Sequence, residues 1–218
     1  MKRRFVILFL TLPAFACFTS VLAQTPQPTP TPQATPTPQQ PAQAAAAPQA
    51  TTPAANPADV ATVDSILAAL YDVISGPAGK KRDWDRFRSL FAPGARLIPT
   101  FPHRPPGTAP DAPLTGKEEH VARTVTPDEY IERSRPLLEE RGFFEREVAR
   151  RTEQYGHIAH AFSTYESRHK AEDAKPFMRG INSIQLMNDG RRWWVVTVFW
   201  EGETEKTPLP DKYLKSER

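Results

Sequence analysis

Two histidines in a β-patterned segment are the first candidates for chemistry. His157 and His160 are three residues apart, so on a strand their side chains face opposite sides of the sheet. They cannot form the paired ligands of a zinc hydrolase, and the chain has no HExxH motif. His160 shares its face with Ile158 and Phe162, which predicts a buried ring. Two interpretations stay open: a hydrogen-bonded core histidine, which we favour, or an acid/base in a pocket.

Carboxylates on the preceding predicted strand are the second candidates. Glu145 and Glu147 alternate with Arg146, so the two acids share one face. The favoured interpretation is a solvated or cross-strand charge ladder rather than a catalytic pair.

Motifs that bind phosphate, calcium or an acyl group are absent from the sequence. There is no GxxxxGK[ST] or GxGxxG loop, no GxSxG elbow and no calcium loop. We therefore predict neither a cofactor nor a metal site.

Residues 1–23 have the composition of a secretory signal, with a basic start at Lys2, Arg3 and Arg4, an apolar run, and a small residue, Ala23, before the expected cleavage. The whole chain has 28 basic and 25 acidic residues. Cleavage removes three bases, so the mature chain is neutral, which argues against nucleic-acid binding. It also removes Cys17, the only cysteine, and with it any disulfide or cysteine nucleophile. We expect a secreted or periplasmic protein.

Two alternatives for the N-terminus remain open. The signal could be retained as a membrane anchor, although its apolar run is shorter than the roughly 20 residues of a membrane helix. Cys17 could instead carry a lipid, although the usual leucine three residues before it is missing.

A proline-rich segment follows. Residues 24–58 are rich in Pro, Gln, Thr and Ala and carry no charge before Asp59, which predicts a disordered, partly polyproline-II linker. It would act as a solubilising tail, or as a spacer if the chain is anchored. Residues 59–218 are predicted to form one folded domain.

The folded domain begins with helices. Asn56-Pro57 predicts an N-cap and first turn, and apolar residues then recur at helical spacing up to Gly76-Pro77. A second helix is expected from Asp83 to Pro93, and a third from the capping box at Thr126, kinked or interrupted at Pro136. Residues 99–113 are predicted to be a loop.

Strands dominate the remainder. A strand is expected at 95–98, and four more at 143–153, 155–168, 177–187 and 191–203. The order of elements predicts an α+β fold, with about three helices packed on one face of a curved antiparallel sheet.

Several segments, among them DWDRFRSLFAPGARLI, RGINSIQL and DGRRWWVVTVFW, resemble a bacterial exported branch of the nuclear transport factor 2-like (SnoaL-like) superfamily. The resemblance covers nearly all of the predicted domain. It implies a cone of strongly bent sheet with helices at its wide end. Members include isomerases, dehydratases, cyclases and non-catalytic binding domains, so the resemblance implies the fold without fixing a function.

The cone implied by this resemblance would hold a ligand. Polar and aromatic residues expected to line that pocket are Tyr71, Phe87, Tyr130, His160, Gln185, Thr197 and Phe199. Arg150 and Asn182 could also point inward. If the cone is catalytic, the candidates are His160 with Tyr165 and Arg150.

The last strand has almost no polar face, since Thr197 is the only polar residue between Trp193 and Trp200. Strict alternation would place two sets of residues on opposite faces. The outer set, expected to pack against a second copy as similar proteins do, is Trp194, Val196, Val198 and Trp200. The alternative cover is the long loop or the tail of the same chain.

The sequence is therefore compatible with three functions. The favoured one is a non-catalytic exported domain that binds a small apolar ligand or acts as a dimerisation scaffold. The others are a cofactor-independent lyase or isomerase that uses a pocket histidine or carboxylate, and an envelope-associated interaction protein.

Overall fold

The structure is a computed structural model that describes residues 52–109, 112, 115 and 117–215. The predicted signal peptide, Cys17 and most of the predicted linker lie outside these residues. Within the described part of the chain, every helix is too short or too polar to cross a membrane.

Four helices form one layer: α1 (Pro57–Val60), α2 (Val63–Ile74), α3 (Trp84–Leu90) and α4 (Pro127–Arg141). The Asn56 side chain caps α1, as the sequence predicted. The predicted first helix is nevertheless two helices, because Thr62 and Ser65 form a capping box that starts α2 anew. The Thr126 capping box of α4 is confirmed, but Pro136 does not interrupt that helix, which continues to Arg141.

Six strands form one sheet: β1 (Phe91–Pro102), β2 (His120–Ala122), β3 (Phe144–Tyr155), β4 (Ile158–Arg168), β5 (Met178–Asn188) and β6 (Trp193–Gly202). Their order is β2-β1-β6-β5-β4-β3. The predicted antiparallel meander is confirmed as β3 to β6, while β1 pairs with β6 in parallel. The expected loop at 99–113 begins later than predicted, because β1 extends to Pro102.

The α+β class and the curved sheet are confirmed. The sheet is curled but not closed, and the helices pack on one side of it, which we call the inner face. The core joins both layers, with Leu67 of α2 and Phe87 of α3 buried in the same cluster as Ile184 and Val195 of the sheet.

A buried arginine ties the helical layer together beside this core. The Arg82 guanidinium donates hydrogen bonds to the backbone carbonyls of Ile74 at 3.0 Å, Gly76 at 2.5 Å and Leu138 at 3.0 Å. Ile74 is the last residue of α2, Gly76 follows it, and Leu138 belongs to α4, so Arg82 links these two helices.

A β-bulge explains the apolar sequence of β6. Opposite β5, Gln185 pairs with Thr197 but Leu186 pairs with Val195, so Val196 is an extra residue. The extra residue reverses the alternation of faces. Val195 and Val198 are therefore both buried on the inner face, where strict alternation would separate them.

Candidate functional site

A cavity of about 280 Å³, which we call the inner cavity, lies between α2, α3, α4 and the inner face of the sheet. Much of its wall is aromatic. Tyr130 stacks on Phe87, with ring centroids 5.4 Å apart and ring planes 15° apart. Trp200 meets Tyr130 edge-on at 6.4 Å. Leu97 and Val198 add aliphatic wall. Such a lining favours a mainly apolar ligand.

One carboxylate belongs to this wall. Glu145 of β3 is half-buried, and Ser167, directly opposite on β4, donates a hydrogen bond to its Oε2 at 2.9 Å. Burial raises the pKa of Glu145 from its ordinary 4.5 to about 7, against the smaller opposing effects of hydrogen bonds from Ser167 and Asn182. Near neutral pH this side chain can therefore both accept and release a proton.

Tyr165 brings a hydroxyl without a partner to the same cavity. The residue is 1% exposed, and its hydroxyl is the one buried side-chain polar atom among the described residues that has no hydrogen bond. Gly180 pairs with Tyr165 across the sheet, and a Cβ on that glycine would lie 2.6 Å from the hydroxyl. Buried polar groups are nearly always satisfied, so this hydroxyl requires a physical reason.

A chain of hydrogen bonds runs along another part of the wall. Asn182 Nδ2 donates to the Tyr71 hydroxyl at 3.1 Å, and the Tyr71 and Ser163 hydroxyls are 2.7 Å apart. Ser163 in turn donates to Glu147 Oε2. Ser163 and Asn182 come together because they are register partners on β4 and β5.

The three tyrosines of the cavity stay protonated over the physiological range. Burial, and secondly the charge of Glu145, raises the pKa of Tyr71, Tyr130 and Tyr165 above the ordinary 10. They act as neutral hydrogen-bonding groups.

A second, more polar cavity of about 540 Å³ lies between α2 and β3, and we call it the polar cleft. Arg150 of β3 forms an ion pair there with Asp64 of α2, and its Nη1 lies 3.6 Å from Glu147 Oε1. Tyr71 and Glu145 line both the polar cleft and the inner cavity. These two side chains thus form a shared wall.

The structure brings together only some of the residues that the sequence proposed for the pocket. Tyr71, Phe87 and Tyr130 line the inner cavity, as does Tyr165. Arg150 lines the polar cleft instead.

The other four residues proposed for the pocket, His160, Gln185, Thr197 and Phe199, lie on the opposite, outer face. His160 does share a face of β4 with Ile158 and Phe162, but the small side chains of Ala159 and Ala161 face the helices, so its assignment to the pocket was wrong. His160 Nε2 instead lies 2.9 Å from Ser183 Oγ, and His160 and Gln185 line an outer groove. The pairing Gln185↔Thr197 and Ser183↔Phe199 puts those two β6 residues on this face too.

The β6 bulge also divides the residues proposed for the dimer interface. Trp194 pairs with Met187 of the outer face, and Val196 lines the outer groove. Val198 and Trp200 line the inner cavity, so their assignment to the outer face was wrong. Part of the outer face is covered by the C-terminal segment, where the Tyr213 ring lies 5.0 Å from that of Phe162.

The sequence named Glu145 as a candidate carboxylate but favoured a charge ladder over a catalytic role for it. The prediction that it shares a face with Glu147 agrees with the polar cleft, which both line. Their assignment to a charge ladder was wrong for Glu145, whose partner across the strand is Ser167 rather than a base. The usable signal was a pair of small polar residues, Ser163 and Ser167, on one face of β4, since their hydroxyls donate to Glu147 and Glu145.

Among the described residues, no group of three or more His, Cys, Asp or Glu side chains is placed to hold a metal ion. Besides the carboxyl, phenol and amide groups described above, Arg133 and Ser134 of α4 line the inner cavity.

In comparisons with known proteins, the chain is similar in fold to several solved structures. No family model and no curated protein matches the chain. Among solved structures it is similar to a protein of unknown function with a cystatin-like fold from Nostoc punctiforme, at 10% identity over 66% of this chain and 90% of that one, with a TM-score of 0.46.

Two nuclear transport factor 2-like proteins of unknown function are also similar. The one from Shewanella baltica is 14% identical over 65% of this chain and 91% of that one, with a TM-score of 0.39. The one from Methylobacillus flagellatus is 12% identical over 66% and 95%, with a TM-score of 0.36. The curled sheet with helices on one side is itself the architecture that the sequence resemblance implies, so the predicted fold is confirmed.

Proposed function

We propose that the protein binds a small, mainly apolar molecule in the inner cavity, with an oxygen or nitrogen of the ligand accepting a hydrogen bond from Tyr165. The observation that carries this proposal is the buried Tyr165 hydroxyl without a partner. Leaving a buried donor unsatisfied costs about 1–3 kcal/mol, and a bound acceptor removes that cost. The cavity, at about 280 Å³, is close to the lower end of the range typical of ligand pockets.

Native mass spectrometry tests this proposal. The protein purified from its own source is expected to carry an added small mass, and Tyr165→Phe is expected to lose it. Tyr155→Phe is the matched control, because Tyr155 is 85% exposed at the far end of β3. Equal retention of the added mass by all three proteins, or no added mass in any, contradicts the proposal.

A second candidate, cofactor-independent isomerase or lyase chemistry, is favoured by the raised pKa of Glu145. In that reaction the Glu145 carboxylate takes a proton from a carbon next to a carbonyl. Tyr165 donates a hydrogen bond to the oxygen on which the negative charge develops, and the proton then returns from Glu145 to the ligand. No electrons are exchanged with an outside group.

Deuterium exchange tests this second candidate. Hydrogens next to the carbonyl of 1-tetralone are expected to exchange in D2O faster with the protein than without it, and the rate is expected to rise as the pH passes about 7 and Glu145 loses its proton. Glu145→Gln is expected to abolish the acceleration, whereas Glu153→Gln, an exposed change on the same strand, keeps it. Exchange that persists in Glu145→Gln excludes this role.

We also propose that the uncovered part of the outer face packs against a second copy of the chain. Trp194 and Val196 lie on this face, and Phe199 is 43% exposed there. Paired sheets would remove this apolar surface from water. This revised interface replaces Val198 and Trp200 with Phe199.

Export of the mature domain also stays a proposal, supported by the sequence of residues 1–23. An intact mass that starts at Gln24 would support it. Retention of residues 1–23, or a lipid on Cys17, would favour the envelope-associated alternative, with the proline-rich segment as a spacer.

A further inference from the structure

The hydrogen-bond chain beside the inner cavity has a fixed direction. A carboxylate only accepts, so the single proton of the Ser163 hydroxyl points to Glu147. Ser163 must then accept from Tyr71, 2.7 Å away, and this uses the only proton of the Tyr71 phenol. Asn182 Nδ2 occupies one acceptor position of the same phenol at 3.1 Å. Tyr71 is left with acceptor capacity and no proton to donate.

Burial and an ion pair hold this direction in place. Ser163 is fully buried, and Tyr71 and Asn182 are buried as well, so the surrounding packing keeps water from competing for their hydrogen bonds. At the other end, Arg150 Nη1 lies 3.6 Å from Glu147 Oε1, so the carboxylate that accepts from Ser163 is also paired with a cation.

We infer that Glu147 and Ser163 are positioning residues that make Tyr71 a hydrogen-bond acceptor, so that the inner cavity selects a ligand with a hydroxyl group over a ketone or hydrocarbon of the same shape. The hydroxyl oxygen accepts from Tyr165, and its proton is donated to Tyr71. A ketone satisfies Tyr165 alone, and a hydrocarbon satisfies neither. A site built to hydrogen-bond a hydroxyl disfavours analogues that leave its polar groups unpaired. This inference rests on the proposed ligand function.

Three probes that share one carbon skeleton test the inference: 1-tetralol, 1-tetralone and tetralin. Affinities are measured by titration calorimetry at pH 8.5, above the pKa of about 7 of Glu145, so that this residue donates no proton. The wild-type protein is expected to bind 1-tetralol about tenfold more tightly than 1-tetralone, the effect of one added buried hydrogen bond. Tetralin is expected to bind most weakly.

Two variants change the direction of the hydrogen bonds from Tyr71 to Glu147 at residues that do not contact the ligand. Ser163→Ala removes the acceptor of the Tyr71 proton, which is then free to donate into the cavity. Glu147→Gln supplies an amide donor to Ser163, so that Ser163 can donate to Tyr71. Both variants are expected to lose the tenfold preference for 1-tetralol, because the ketone gains a second donor. Glu153→Gln is the control and is expected to keep the preference.

The outcomes separate the inference from the function on which it rests. Equal binding of alcohol and ketone by the wild-type protein, or an unchanged preference in both variants, overturns the inference and leaves the proposed function standing. Failure of all three probes to bind the wild-type protein overturns both. A neutron structure of the deuterated protein at pH 8.5 tests the direction without a ligand: the Tyr71 deuterium is expected to point at Ser163, and any other direction overturns the inference.

Discussion

The raised pKa of Glu145 predicts that this one carboxyl makes the protein less stable as the pH rises through the acid range. In the unfolded chain its pKa is near the ordinary 4.5, and in the folded protein it is about 7. Between these values the folded protein holds a proton that the unfolded chain has released. The free energy of unfolding therefore falls with rising pH across this interval, and it is constant below and above it.

The size of the effect follows from the two pKa values. Their separation corresponds to about 3 kcal/mol, at roughly 1.4 kcal/mol for each pH unit. Domains of this size are stable by roughly 5–15 kcal/mol in total, so the change is a large part of the net stability. Glu145→Gln removes it, because a glutamine keeps an oxygen that accepts the Ser167 hydrogen bond and does not titrate.

Urea unfolding from pH 4 to pH 8 measures the effect directly. The informative quantity is the free energy of unfolding of the wild-type protein minus that of Glu145→Gln, in which the effects of all other titrating groups cancel. We expect this difference to fall by about 3 kcal/mol between pH 4.5 and pH 7. The same subtraction with the exposed control Glu153→Gln is expected to stay nearly flat.

Two results would refute the reasoning. A difference that stays constant within about 0.5 kcal/mol would mean that Glu145 titrates at the same pH in the folded and unfolded chain, so burial has no net effect on it. A difference that rises with pH would mean that its hydrogen bonds stabilise the charged form more than burial disfavours it.

Three further substitutions test the wall of the inner cavity and the outer face. Tyr165→Phe is expected to raise the free energy of unfolding of the ligand-free protein by about 1 kcal/mol, since it removes an unsatisfied buried donor; an unchanged or lower value in urea unfolding counts against an unpaired hydroxyl. Gly180→Ala is expected to lower it by about 2 kcal/mol because the new methyl group meets the backbone oxygen of Glu201 and the Tyr165 side chain, whereas Gly202→Ala, whose methyl group makes only ordinary contacts, changes it little; equal effects would contradict the close packing around Gly180. Phe199→Glu is expected to convert the proposed dimer to a monomer in light scattering, and a variant that stays dimeric would place the interface elsewhere.

The fold was largely predictable from local signals. Helix starts at Asn56 and Thr126 carried capping residues whose chemistry does not depend on the rest of the chain. The break between α1 and α2 was missed because Thr62 leaves the helical conformation, whereas the helical spacing of apolar residues continues past it. The sequence left open whether Pro136 kinks or interrupts α4, and the structure has one helix that continues through it.

The assignment of faces was less predictable, since it depends on register. On β6 Thr197 is the only polar residue between Trp193 and Trp200, and one threonine does not show which set of side chains faces the helices. One extra residue there exchanged the two sets of side chains beyond it, so Trp200 moved to the inner cavity and Phe199 to the outer face. A bulge is a property of a strand pair, and one strand's sequence does not show it.

Glu145 lies on the wall between the two cavities. This position explains how one carboxyl can have a raised pKa and still exchange its proton. The apolar side disfavours its charge and raises its pKa towards neutrality. On the other side it lines the polar cleft together with Tyr71, which offers a route for protons that does not pass through a ligand in the inner cavity. A carboxyl enclosed entirely by apolar groups would exchange its proton only when the ligand left. In the proposed isomerase or lyase reaction, Glu145 can therefore exchange its proton through the polar cleft while the ligand stays bound.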